Sequence, residues 1–356
     1  MRKKEDLMET VKPRLRDPAI DYLKAIAVFG VIIIHTSTEG YLLPVGSFNW
    51  GSAVFWSSLV RASVPIFLMC SGALLLRPQK EMGLRKLFLH NLLRIIVAMF
   101  GWAMVYKFYH LLAAGTLSFA SVYESVKEVL LFKQEFHFYY LHIVILVYLF
   151  LPITRVLINH ANKRQLQYTL LIWFIFGIVY PTVKTFWPFT LLTGIPSQWL
   201  MNMAYASIGY GILGFYIETY PLPKKVYWVC SIAGFAFVFG GTYFMSMNNG
   251  QIYTNFFEGM SIGVALLATG VFGLCISLKD KEWLKRCRAV NFLSKASFCI
   301  YLVHVLILYC LKSLGLDVND LPCIVSIPLL SAFNLAISSL VYLVLSKIPV
   351  VNRWLI

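Results

Sequence analysis

Apolar residues run down this chain in long blocks, and polar residues collect in the short gaps between them. Each block is about 20 residues long, enough for an α-helix to cross a hydrocarbon core of about 30 Å. The pattern predicts ten helical spans: Tyr22–Thr38, Ala53–Leu76, Asn91–Ala114, Phe136–Ile158, Leu166–Thr185, Leu200–Glu218, Val226–Ser246, Gly259–Leu278, Val290–Leu311 and Pro322–Ser346. Pro181, Trp187, Pro188 and Pro196 interrupt the pattern between the fifth and sixth. The stretch Leu117–Phe132 is too polar to cross and reads as an amphipathic helix lying on the outer face. The expected fold is an all-α polytopic membrane protein of about ten transmembrane helices.

Composition excludes the alternative of a water-soluble fold. Of 356 residues, 59% are hydrophobic and 13% charged, against about 25% charged in soluble chains. The first block contains Lys24 and His35 and lacks a small-residue cleavage site, so it is expected to stay as a span rather than be removed as a signal peptide. With ten spans and the N-terminus inside, twenty-three Lys/Arg fall in cytoplasmic segments and four (Lys127, Lys133, Lys184, Lys312) in outer ones. That asymmetry follows the positive-inside rule and puts both termini in the cytoplasm. The expected organisation is a basic leader (1–21), a transmembrane domain (22–347) and a short cytoplasmic tail (348–356). Basic residues pooled at lipid headgroups account for the net charge of +15 without a nucleic-acid partner. Trp50, Trp187 and Trp199 are expected in an interfacial belt. The seven cysteines include no Cys-x-x-Cys pair, so they read as small hydrophobes and not as a metal site.

The informative residues are polar ones inside the spans. Lys24, Arg61, Arg94 and Lys107 remain after the loops are counted, and an unpaired cation in hydrocarbon costs about 2.5–3.5 kcal/mol or more. Lys107, near an outer end, is expected to snorkel. At 1.5 Å per residue, His35 lies about 16 Å outward of Lys24. Arg61 falls about 12 Å below the outer end of its span, close to the level of His35, and His304 reaches that level too. Arg94 starts the third span at the level of Lys24, with Arg85 and Lys86 behind it. A cationic inner mouth beneath a histidine-arginine layer suits a ligand with an anionic head and a thin arm, such as acyl-coenzyme A. His110 and His142 read as packing residues.

Specific motifs sharpen this picture. Lys24, followed by ten residues and His35-Thr36, resembles the opening of the acyltransferase 3 family of membrane O-acyltransferases, where Arg is commoner at the first position. Arg61-Ala-Ser-Val-Pro-Ile-Phe-Leu-Met-Cys-Ser-Gly72 resembles its second-span signature. His137-Phe-Tyr-Tyr-Leu with Tyr148 and Pro152 resembles its fourth span, and Ser294-x-x-Ser297-Phe-x-Ile-Tyr301-Leu-x-His304 its ninth. The basic cluster before the third span is thinner than the family's. The resemblance implies transfer of an acyl group, acetyl above all, from cytoplasmic acyl-coenzyme A to a hydroxyl of an extracytoplasmic glycan or glycolipid at a bacterial cell membrane. It implies His35 as base or acyl carrier, a pKa near neutrality suiting it to that work. It also implies Arg61 as its oxyanion or orienting partner and His304 and Tyr301 in the same cavity. Lys24, Arg94, Arg85 and Lys86 would hold the donor. His137 would contact the acceptor at the outer rim. Ser71 either lines the cavity or packs helices beside Gly72. A rival reading is a small-solute or glycan transporter, akin to the membrane portion of vancomycin-resistance serine racemases.

The charge asymmetry makes a prediction: a cytoplasm-dependent fluorescent reporter fused after Ile356 will light up. An active periplasmic reporter at that point would overturn the ten-span topology.

Overall fold

The computed structural model describes residues 17–78, 83–192, 194–281 and 287–356. Most of the basic leader (1–16), together with Lys80, Lys285 and Arg286, lies outside the described residues. Every element among the described residues is helical. The principal helices are α1 (Pro18–Thr36), α2 (Phe48–Leu59), α3 (Ser63–Leu75), α4 (Leu93–Ala113), α5 (Phe119–Leu130), α6 (Tyr139–His160) and α7 (Lys163–Trp173). They continue with α8 (Met203–Thr219), α9 (Lys224–Asn249), α10 (Ile262–Ile276), α11 (Arg288–Ser313), α12 (Cys323–Leu345) and α13 (Pro349–Trp354). Among the described residues, nine helical stretches are long and apolar enough to cross a membrane. The expected sixth span, α8, has 17 residues, or about 25 Å, the short end of what a crossing needs.

Ionic contacts show that α8 does cross. Arg77, just past α3, pairs with Asp17 ahead of α1 at 3.1 Å and with Glu218 at the end of α8 at 2.6 Å. Arg155, near the end of α6, donates to the carbonyl of Leu75 at 2.5 Å. These chain points therefore share one face. The chain leaves that face through the 21-residue stretch Lys163–Val183 and is back at Glu218, so α8 is the return leg and the tenth crossing.

Local chemistry sets the helix that organises the rest. Asp17 caps α1 by accepting from the Ala19 amide at 3.1 Å, and Pro18 fits the first helical position. Ala19, Leu23, Ala27, Val28 and Ile32 are fully or almost fully buried, so α1 is a central post against which α3, α11 and α12 pack. Glycine brings two further elements together. A Cβ on Gly72 of α3 would collide with the backbone of Gly211 in α8, and one on Gly214 would collide with the backbone of Met69. Where lipid tails are as apolar as the side chains, such backbone approach is what holds helices together.

Several expectations are corrected. The second span was read as one helix, Ala53–Leu76; it begins at Phe48 and breaks at Val60–Ala62. The cause is Pro65, which lacks the amide needed to continue a helix and sits at the third position of α3, within the first turn, where amides are unpaired anyway. Trp50 is not interfacial. It is fully buried against Tyr243, with ring centroids 5.3 Å apart, whereas Trp187 and Trp199 are exposed. Lys107 does not merely snorkel: it pairs with Glu128 of α5 at 2.7 Å, and that ammonium holds the Glu128 carboxyl below its usual range. The tail is a folded element. Its helix α13 packs on α4, and Ile356 is buried.

The α3–α8 approach predicts that Gly72→Val will lower the thermal unfolding temperature in detergent by several degrees, since overpacking costs about 1–3 kcal/mol. Gly259→Ala, where a Cβ meets nothing within 4 Å, will leave it nearly unchanged. Equal stability of the two variants would refute the close contact.

Candidate active site

Three imidazoles from three separate chain segments meet, two near the ends of α1 and α6 that lie away from Arg77 and one within α11. His35 sits in the last turn of α1. His137 lies in a 3-10 turn, Phe136–Phe138, that leads into α6. His304 is carried on α11. The His35 and His304 ring centroids are 5.1 Å apart, His137 and His304 are 5.4 Å apart, and His35 and His137 are 6.2 Å apart. The depth match expected for His35 and His304 is thus real. His137, expected at the outer rim, is instead buried in the cluster.

A polar scaffold fixes the rings. Tyr301 donates its hydroxyl to the carbonyl of His137. The Tyr106 hydroxyl donates to the Leu302 carbonyl at 2.9 Å and accepts from the Leu306 amide at 3.0 Å. Asn334 of α12 donates to the His304 carbonyl at 2.8 Å and accepts from Ser338 at 3.0 Å. Ser331 bonds Thr36 at 3.1 Å. His304 Nδ1 faces the carbonyls of Tyr301 (2.7 Å) and Ile300 (3.2 Å). A carbonyl only accepts, so Nδ1 carries a proton, and the neutral ring keeps a lone pair on Nε2.

The remaining imidazole nitrogens are conspicuous. His35 Nδ1 and His304 Nε2 are buried with no hydrogen-bond partner among the described residues, whereas His137 lies within reach of the Leu302 backbone. An unmet buried polar atom costs about 1–3 kcal/mol. Two such atoms, on rings 5.1 Å apart, leave hydrogen-bonding capacity open inside the bundle. Among the described residues, no group of three or more histidine, cysteine or carboxylate side chains is arranged to hold a metal ion.

Other expected residues have different surroundings. Arg61 lies in the break between α2 and α3, where its Nε donates to the Phe257 carbonyl at 2.6 Å and its guanidinium stacks 4.7 Å from the Phe257 ring. It lines a small cavity with Tyr139, Ser207 and Glu258. Arg94 donates to the backbone oxygen of Ile356 and lies over the Phe298 ring at 5.8 Å. Trp102 holds the adjacent Leu355 carbonyl at 2.9 Å, so the tail is seated against the expected donor cation. Lys24 is half-buried on α1; Arg85 and Lys86 are exposed ahead of α4. The Ser71 hydroxyl bonds the Phe67 carbonyl of its own helix at 3.0 Å, a packing arrangement.

A cavity of about 190 Å³ opens beside His35, walled by Phe136, Val305, Leu308 and Tyr309, with Glu39 and Lys312 also lining it. Sequence reasoning missed Asn334, although Ser331, Asn334 and Ser338 recur at helical spacing in an apolar span and mark one polar face. It also missed Glu135, which binds His110 at 2.7 Å and Tyr309 at 3.2 Å.

The fold defines a multi-pass membrane protein with a buried cluster of imidazoles inside its helix bundle. Residues 17–343 match the family model described as an acyltransferase domain, acyltransferase 3, and the chain belongs to that family. No curated protein and no solved structure matches it.

Burial predicts the order of histidine modification by diethyl pyrocarbonate. Exposed His90, His110 and His160 will react first, half-buried His35 later, and His137 and His304 only after denaturation. Peptide mass spectrometry reads the order, and early labelling of His137 would contradict the buried cluster.

Proposed function

We propose that this membrane acyltransferase moves an acyl group, acetyl above all, from cytoplasmic acyl-coenzyme A to a hydroxyl of an extracytoplasmic glycan or glycolipid at a bacterial cell membrane. The observation that supports this reading is His35, which lines a cavity while its ring lies 5.1 Å from that of His304. Acyl transfer to an alcohol needs a base that is close, oriented and screened from water.

The reaction balances with one histidine. His35 takes the proton of the acceptor hydroxyl as its oxygen attacks the thioester carbonyl. The tetrahedral intermediate collapses, the carbon–sulfur bond breaks, and the coenzyme A thiolate leaves with the proton that His35 held. The products are an O-acyl ester and free coenzyme A thiol. A lone pair on His304 Nε2 offers a second proton acceptor facing His35, and Tyr301 keeps His137 in place. Lys24, with Arg85 and Lys86 at the face bearing Arg77, would take the donor's phosphates. Arg94 would join them only by releasing Ile356. Arg61 acts as a positioning residue, tying the break in the second span to the turn at Phe257.

A transporter would also use a broken span, and donor turnover separates the two readings. Titrating acetyl-coenzyme A in proteoliposomes, His35→Ala will lose about 10²–10⁴-fold in transfer rate with little change in donor requirement. Lys24→Ala will recover part of its rate at high donor concentration. A His35→Ala rate within a few-fold of the parent would make the histidine structural, and no donor turnover by the parent protein would favour the carrier.

A further inference from the structure

We infer that the cavity beside His35 is the acceptor site and that it admits a single uncharged sugar ring. This deepens the acyl-transfer reading and rests on it. His35 lines the cavity, while Lys24, the donor-side cation, lies eleven residues back along α1, or about 16 Å. Donor and acceptor would then approach the histidine from opposite ends of one helix.

Size limits the occupant. At about 190 Å³ the space is below the roughly 300–1,000 Å³ of pockets that enclose drug-sized ligands. A single ring fits, and the rest of a glycan would stay outside the mouth.

The lining suits a sugar in its chemistry. Phe136 and Tyr309 offer ring surfaces, and Val305, Leu308 and Leu330 complete an apolar wall. A pyranose presents apolar C–H faces to such a wall and a belt of hydroxyls to polar groups. Those groups are gathered at Thr38, Glu39, Lys312 and Asp317.

Charge then selects among sugars. Two carboxylates and one ammonium give these groups a net charge of −1. Lys312 is already paired with Glu39 at 2.9 Å. Asp317 accepts from the backbone and side-chain nitrogens of Asn319, both at 2.8 Å, contacts that leave its charge in place. Behind the wall, the Tyr309 hydroxyl donates to a further carboxylate, Glu135. An entering uronate or phosphate would meet like charge in a narrow, partly apolar cleft, an unfavourable juxtaposition. A neutral hexose would not.

The test measures binding without any donor, so it reads the cavity independently of the chemistry. The full chain in detergent is titrated with methyl glucoside and methyl glucuronide, which differ by one carboxylate. The parent protein will bind the glucoside at least about tenfold more tightly. A Glu39→Gln, Asp317→Asn double variant turns the cavity's net charge to +1 and will erase or invert that ratio; Asn caps a helical turn as well as Asp does. Leu308→Trp, which fills the space, will weaken both sugars. If the double variant does not fold, Glu39→Gln alone, at a side chain 38% exposed, carries the ratio test. Binding of neither sugar by the parent, an unmoved ratio, or unaltered affinity in Leu308→Trp each overturns the proposal. Sugar binding with this selectivity in a protein that turns over no acyl-coenzyme A would instead sink the acyl-transfer reading and leave the cavity standing.

Discussion

In hydrocarbon a polar group can turn only to the protein that carries it, and this scarcity of partners shapes the molecule. Backbone groups meet it by forming helices throughout. Charged side chains meet it by reaching for carboxylates where a helix end or a covering helix offers one, as Lys107 does with Glu128. Elsewhere they take main-chain oxygens: Arg155 takes the Leu75 carbonyl, Arg61 the Phe257 carbonyl and Arg94 an oxygen of Ile356. Against that background the imidazole cluster stands apart. Its supports are bonded through Tyr301, Asn334 and Ser331, while His35 Nδ1 and His304 Nε2 have no partner among the described residues.

The rigidity of that arrangement comes from small residues as much as from hydrogen bonds. Backbone contact between α3 and α8 at Gly72 and Gly214 locks the second half of the broken span to the short tenth crossing. Packing of α1 against α3, α11 and α12 then sets His35 beside His304 without a covalent link. Positioning a base by packed helices keeps it in one geometry while the surfaces facing lipid remain free to vary.

Much of this was legible in the chain itself. Ten crossings followed from block length, because apolar blocks of span length have few other uses. The shared depth of His35 and His304 followed from rise per residue; their meeting, with rings 5.1 Å apart, needed the packing of α1 against α11. The break at Arg61 was legible in part: Pro65 marks an interruption in the sequence, but its place at Val60–Ala62, with Arg61 held by the Phe257 carbonyl, is a tertiary feature. Trp50 misled for a related reason. A tryptophan near a span end suits an interface, and its burial depends on Tyr243, distant in sequence. His137 looked peripheral because it stands at the outer entry of the fourth span, whereas the bundle folds Tyr301 and Tyr106 around it. Contacts made across the bundle leave no period in the sequence to read.

The broken second span also bears on how the protein is made. Its halves, 12 and 13 residues, are each about 18–20 Å long, too short for the insertion machinery to accept separately. The whole stretch must enter the bilayer together, with Arg61 in its middle. The carbonyl that receives that guanidinium belongs to a residue synthesised 196 positions later. Through most of translation the arginine is therefore held by water or lipid phosphate, and its final bond closes only when the seventh and eighth crossings arrive. Assembly of this bundle is accordingly completed late and from a distance, with the second span as the member that waits.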